Sequence, residues 1–137
     1  MRSFVLFKIA AQLYAIDIEV VKRILPSSEL TDVPDEPSHI EGMFQYEGDV
    51  LKVLSFRKLL GLDELQSSKK ESERCLVIKN EEKTFGINID EVEDIIYVKD
   101  DVLHKPTQEQ SLGEFMQVEA ILEKEGQLVT IVHNIKM

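Results

Sequence analysis

The chain is predicted to be mainly β with short helices, folded as two small barrels packed side by side. Three observations predict this. Apolar residues come in short, often alternating bursts; turn residues separate the bursts; and two segments recur in the same order further along the chain.

The elements follow in order. Phe4, Leu6 and Lys8 fall on one face of a first strand, with Val5, Phe7 and Ile9 on the other. After a break at Ala11-Gln12, residues 13–16 form a second apolar run. Residues 50–54, 76–78, 85–89, 118–122 and 128–132 read as further strands, bounded by Gly, Asn, Asp or Glu turns. Asp17 stands where it would cap a helix over residues 18–25, in which Val20, Val21, Ile24 and Leu25 have helical spacing and Pro26 ends the run. Residues 56–60 form a second short helix, closed by Gly61. Two polar stretches without periodicity read as loops, 64–73 (ELQSSKKESE) and 104–114 (HKPTQEQSLGE).

The repeat carries the duplication. YAIDIEVVKRI, from Tyr14, aligns with FGINIDEVEDI, from Phe85, at an offset of 71 residues. Tyr14 meets Phe85, Ile16 meets Ile87, Ile18 meets Ile89, Val21 meets Val92 and Ile24 meets Ile95, while Asp17 meets Asn88, both good cap residues. EGDVLKVL from Glu47 aligns with EGQLVTIV from Glu125 at an offset of 78, and the longer loop of the second half absorbs the difference. Residues 1–137 are therefore expected to form one duplicated domain. Residues 1–63 supply mainly the first barrel and 74–137 mainly the second, with strand exchange allowed at the termini. The groove between them is a natural docking place.

Composition narrows the function. Sixteen basic against 26 acidic residues give a net charge of -10, a surface that repels phosphate backbones and anionic lipid. Nucleic-acid binding is opposed on that ground. Hydrophobic residues, 43% of the chain, suffice for a real core. The single cysteine, Cys75, excludes an internal disulfide and fits a reducing cytoplasm. No stretch approaches the roughly 20 apolar residues of a membrane span, and the apolar run at residues 4–7 is too short for a signal-peptide core. A cytoplasmic protein without direct membrane insertion is expected.

Catalysis or metal binding needs converging groups. His39, His104 and His133 lie far apart in dissimilar contexts, with Glu36 and Glu41 near His39. Cys75 opens an apolar strand with Arg74 alone beside it, so it reads as a buried thiol. No glycine-rich phosphate loop and no EF-hand pattern occur. Adjacent carboxylates such as Glu93-Asp94 point to opposite faces of a strand, as part of a solvated acidic surface. No catalytic residue, metal or cofactor is predicted. A small β-barrel enzyme or ligand-binding protein with a cleft between its halves is the competing reading; titrating groups converging in that cleft, or a co-purified ligand, would favour it.

Residues 42–62, GMFQYEGDVLKVLSFRKLLGL, resemble the CheW-like domain family, whose members show G-x-x-N-L-R-G, a hydrophobic strand, D-L-R and a closing L-G-L. Gly42, Gly48, Val53, Leu54, Arg57 and Gly61-Leu62 fit. Residues 7–25, FKIAAQLYAIDIEVVKRIL, resemble the family's first hairpin and helix, and Ile89-Asp90-Glu91-Val92 its V-D-x-V element. The resemblance covers nearly the whole chain. It implies two SH3-like five-stranded barrels. It also implies a non-catalytic adaptor that joins the cytoplasmic tips of chemoreceptors to the regulatory domain of a CheA-type histidine kinase.

The departures bear on partner choice. The chain has Gln45-Tyr46-Glu47-Gly48 for N-L-R-G, Lys52 where the family commonly has proline, and Ser55 for the following aspartate. Arg23 stands where the family often carries glutamate. In the family that glutamate and the loop arginine look like partners on the receptor-facing side, so here the two charges are exchanged. The expected docking surface is Val20, Arg23 and Ile24 from the first helix with Phe44, Tyr46 and Glu47 from the loop region. Arg23 and Glu47 form a swapped pair in this reading, selecting a divergent receptor set.

Overall fold

A computed structural model describes the chain apart from residues 28, 29, 34, 35, 64–70, 82, 107–109, 113, 114 and 137. Alternating, β-branched-rich segments pair as expected. The strands are β1 (Arg2–Ile9), β2 (Gln12–Asp17), β3 (Val21–Pro26), β4 (Ile40–Tyr46), β5 (Asp49–Ser55), β6 (Arg74–Asn80), β7 (Lys83–Ile89), β8 (Glu91–Val98), β9 (Gln110–Leu112), β10 (Met116–Lys124) and β11 (Gln127–His133). One α-helical turn, α1 (Phe56–Leu59), follows β5. Ser55 caps it by accepting from the Lys58 N–H, and Gly61, at φ +78°, closes it.

The strands form two sheets, β8-β1-β2-β11-β10-β9 and β3-β6-β7-β5-β4. The repeat offsets map one onto the other: β6 and β7 take the places of β1 and β2, and β3, β4 and β5 those of β8, β10 and β11. Both sheets contain one parallel pair at the same place, β5 beside β7 and β11 beside β2. Both curl into a small barrel: past β3, Thr31 bridges Met43 of β4, and past β8, His104 bridges Ile121 of β10. Both fourth strands carry a bulge at the same repeat position, between Ile40 and Gly42 in β4 and between Val118 and Ala120 in β10.

Each sheet draws strands from both halves of the chain. Residues 1–63 put β1 and β2 in the six-stranded sheet but β3, β4 and β5 in the other; residues 74–137 divide the opposite way. The exchange goes beyond the termini because the chain crosses between sheets twice, at Ile18–Val20 and at Asp90, which the repeat superposes.

Two further expectations are corrected. The helix expected over residues 18–25 is a single 3-10 turn, Ile18–Val20, followed by β3. Asp17 does cap that turn, accepting from the Glu19 N–H at 2.9 Å. The apolar spacing that fits a helix equally fits a bulged strand, in which Val21 pairs with Ile78 and Leu25 with Cys75. The β-branched Val21 and Ile24 lose less freedom there, and pairing with Ile78 to Arg74 of β6 decides it. The loop expected at 104–114 contains β9, which pairs with Met116 to Val118; residues 107–109, 113 and 114 lie outside the described residues, as do 64–70 of the first loop.

The core has a seam and an interior. Phe4, Leu6, Leu13, Ala15, Ile131 and their neighbours fill the six-stranded barrel. A second cluster joins the two sheets, with Val5, Phe7 and Ile16 from one and Leu54, Leu76, Ile87 and Ile89 from the other. Inside the five-stranded barrel the central strand carries Gly86. A methyl group there would lie 2.8 Å from Cys75 Sγ and 3.5 Å from the Phe44 ring. Phe44 and Cys75 occupy the repeat positions of Leu122 and Phe4, so bulk is redistributed between strands while the barrel stays filled.

The β1–β2 hairpin stores local strain. Its two turn residues, Ala10 (φ 50°) and Ala11 (φ 69°), both occupy the left-handed region, which disfavours a Cβ by roughly 1–2 kcal/mol per residue. The β4–β5 and β10–β11 turns instead place glycine second, Gly48 and Gly126. Replacing Ala10-Ala11 by Asn-Gly is expected to raise stability by about 1 kcal/mol. Urea midpoints at unchanged slope measure it, and an unchanged midpoint would count against the strain.

Candidate docking surface

The seam between the barrels is open on one side and closed on the other. On the closed side α1 follows β5, and Phe56, fully buried, packs on Phe7 and Tyr14 with ring centroids 5.3 and 5.1 Å apart. Burial pushes the Tyr14 hydroxyl pKa up. On the repeat-related side β11 runs into Asn134-Ile135, with no helical turn after it among the described residues. A groove of about 100 Å³ remains there, lined by Ile16, Val20, Ile78, Val132 and Ile135, with Asp17, His133 and two asparagines at its rim. It opens toward a wider polar depression that includes Lys83 and Lys136.

An ion cluster fixes the rim. The Arg2 guanidinium donates to Asp17 at 2.8 Å and to Glu119, the bulge residue of β10, and its side chain is about two-thirds buried. These hydrogen bonds, with Glu119 first and Asp17 next, hold its pKa well above the ordinary value. Its CZ atom lies 4.8 Å from the Phe4 ring centre. In the other barrel the matching bulge residue, Glu41, accepts directly from the Asn88 amide at 2.8 Å. Two facing carboxylates need a cation between them; a carboxylate and an amide do not.

The six expected docking residues come from four places in the fold: the 3-10 turn, β3, β4 and the β4–β5 turn. Val20 is half-buried in the groove wall. Arg23 and Ile24 are exposed on β3, Ile24 at 37%. Phe44 and Tyr46 belong to β4 rather than to a loop, both half-buried, with ring centroids 6.2 Å apart. Phe44 turns partly inward onto Gly86. Glu47 is exposed in the hairpin turn at φ 50°. Among the described residues Arg23 and Glu47 form no ion pair with each other.

Four of the exposed apolar side chains make two repeat-related pairs, Ile24 with Ile95, and Val50 at 60% with Leu128 at 64%. The aligned repeats already juxtaposed them, and solvent exposure of both members was the missing sign. The remaining singled-out groups are structural. His39 stacks on Phe115 at 4.3 Å, and His104 holds the bridge to Ile121 through its backbone. Burial pushes the Cys75 thiol up to about 12, so it stays protonated and unreactive at neutral pH. Among the described residues no three His, Cys, Asp or Glu side chains are placed to hold a metal. Among them, too, no helix is long and apolar enough to cross a membrane.

Residues 3–137 match the family model described as the CheW-like domain. The chain is 27% identical over 108 residues to a Treponema pallidum protein named chemotaxis protein CheW, covering 77% of this chain and 64% of that protein. It is 30% identical over 97 residues to the protein of the same name from Helicobacter pylori, covering 71% and 58%. The chain thus spans somewhat less than two thirds of the length of these two relatives. With the Bacillus subtilis protein of that name the identity is 26% over 130 residues, covering 95% and 82%. The fold is similar to that of the scaffolding protein TtCheW from Thermoanaerobacter tengcongensis, at a TM-score of 0.85 and 22% identity, over 96% of this chain and 88% of that one.

Proposed function

The chain belongs to the CheW-like domain family, and from that premise we propose that it is a non-catalytic cytoplasmic adaptor coupling the cytoplasmic tips of chemoreceptors to the regulatory domain of a CheA-type histidine kinase. The observation that carries this reading is the open seam. An apolar trough beside Val20, unfilled where the matching seam holds α1, has the shape and chemistry to take a short helical segment of a receptor tip. Arg23 and Ile24 lie on the strand that leads away from it and act as the rim. Arg23 and Glu47 form no ion pair with each other among the described residues, so in this reading each charge selects partners separately; exposed charges at a rim act on partner choice and encounter more than on affinity. Binding without bond-making needs no converging reactive groups, and His39, His104 and Cys75 are spent on packing and bridges.

Titration of a receptor cytoplasmic tip fragment into the full chain tests this. Val20→Glu places a carboxylate in the trough and is expected to weaken binding at least about tenfold, equivalent to about 1.4 kcal/mol, with the melting curve little changed. Arg23→Glu is expected to alter preference among receptor tips. In a reconstituted receptor–kinase mixture, omission of the chain should uncouple kinase activity from receptor. Wild-type affinity in Val20→Glu would exclude the trough as the receptor site; failure of the wild-type chain to bind any tip or the kinase domain would exclude the adaptor role.

A further inference from the structure

The closed seam shows what the open one lacks. At the repeat offsets of 71 and 78 residues, Phe7 and Tyr14 correspond to Ile78 and Phe85, Phe56 to Asn134 and Arg57 to Ile135. On the closed side the Phe56 ring packs on Phe7 and Tyr14, and Arg57 beside it meets the Asp90 carboxylate, which also takes the Ala10 N–H. An apolar plug and a charged contact thus sit next to each other. On the open side Ile78 lines the trough and Phe85 the adjoining depression, but Asn134 supplies no ring and Ile135 no charge. The hairpin turn is the same on both sides, with Glu81 in the place of Ala10 at φ 58° against 50°. The depression carries two basic residues, Lys83 and Lys136, both exposed and neither in an ion pair among the described residues, with Glu81 as the acidic residue beside them. In a chain of net charge -10 this is a local basic spot. Asp17, the carboxylate at the trough's own rim, is already held by Arg2. Trough and depression share Asn80, Asn134 and Ile135 as walls, so one short segment can reach both.

We propose that the receptor segment docked in the trough carries an acidic residue one helical turn from its apolar anchor, and that Lys83 and Lys136 receive its carboxylate. The inference rests on the adaptor reading and adds the chemistry of what is recognised. The anchor takes on the open side the place that Phe56 holds on the closed side. Residues three or four apart share a helix face, so a carboxylate at that spacing lies over the depression while the anchor fills the trough. Lysine suits such a contact: a compact ammonium on a flexible stem meets a carboxylate without demanding one fixed geometry. Because both ammonium groups are exposed, they act mainly on the encounter rate and on the choice among segments. A segment with a basic residue at that position meets two like charges and is rejected.

Binding of a receptor cytoplasmic tip fragment to charge variants of the full chain tests it. Lys83→Glu/Lys136→Glu is expected to weaken binding about tenfold and to slow association, with an unchanged melting curve because both side chains are exposed. Lys99→Glu/Lys105→Glu makes the same change in net charge at exposed positions outside the trough and depression, and should leave affinity within about twofold of wild type. Tip fragments with one acidic residue at a time changed to lysine supply the rescue: one of them should bind Lys83→Glu/Lys136→Glu more tightly than it binds the wild-type chain. Wild-type affinity in Lys83→Glu/Lys136→Glu, alongside weakened binding in Val20→Glu, overturns this inference and leaves the trough as the receptor site. An equal loss in Lys99→Glu/Lys105→Glu, or rescue by none of the fragments, also overturns it, the effect then being one of net charge. Wild-type affinity in Val20→Glu excludes the trough, and this inference falls with it.

Discussion

Arg57→Ala is expected to lower folding stability by about 3–5 kcal/mol, far more than loss of any surface ion pair in this chain. The residue belongs to α1, on the closed side of the seam, and its Nη1 donates to Asp90 Oδ2 at 2.5 Å, with side chains only 18% and 12% exposed. Asp90 is the crossover from β7 to β8. Its Oδ2 also accepts the strained Ala10 N–H at 2.9 Å, its backbone carbonyl accepts from Ser72 Oγ, and its Oδ1 is buried without a partner in the described residues. One carboxylate thus ties the β1–β2 hairpin, α1 and the crossover together. Removing Arg57 leaves that carboxylate buried with a single N–H, the costly direction for breaking such a pair. Asp90→Asn is expected to cost less, about 1–3 kcal/mol, because the amide oxygen still serves Ala10 and the partly exposed guanidinium can reach water. The double change Arg57→Ala/Asp90→Asn should fall well short of the sum. Urea unfolding with unchanged slope measures all three, and a loss below about 1 kcal/mol in Arg57→Ala would falsify the buried-pair account.

That pair also marks where sequence reading stops. Arg57 and Asp90 are both legible as members of separate motifs, yet nothing in either motif says that they touch across 33 residues. Short apolar runs bounded by turn residues carry the strands at Phe4 to Ile9, Phe85 to Ile89 and Leu128 to Val132, the first two being buried on both faces over most of their length. The repeat at 14–24 and 85–95 carries the duplication. It does not carry the exchange of strands between barrels. Which barrel β3 joins is decided at the crossover, where three residues, Ile18–Val20, redirect the chain. The helical spacing of Val21, Ile24 and Leu25 fits two structures, and only the ladder to β6 distinguishes them. At the site, Val20 is identifiable from its place at that crossover, but the groove it lines needs Val132 and Ile135 from the far end of the chain. The Arg23–Glu47 pair is carried over from the family resemblance, and no ion pair joins the two among the described residues.

Phe56→Ala is expected to cost a further kind of stability, about 3–5 kcal/mol from an emptied core position. Phe56 is 0% exposed and stands edge-on to Phe7, at an interplanar angle of 79°. Such aromatic contacts contribute about 0.5–1.5 kcal/mol beyond burial. Its neighbours come from both sheets, Phe7 and Tyr14 from the six-stranded barrel and Leu54 from the other, so the void cannot close by shifting one strand. A drop in melting temperature on the order of 10 °C follows for a domain of this size. Phe56→Leu keeps most of the volume and is expected to stay within about 1.5 kcal/mol of wild type. The truncation also makes the closed seam resemble the open one. If the open groove beside Val20 is the receptor site, Phe56→Ala, assayed well below its melting temperature, should bind the receptor tip with wild-type affinity. The Val20→Glu change should still weaken that binding in the Phe56→Ala background. Loss of tip binding in folded Phe56→Ala would instead assign recognition to the α1 side, and a melting point within a few degrees of wild type would show that the seam is not held by this ring.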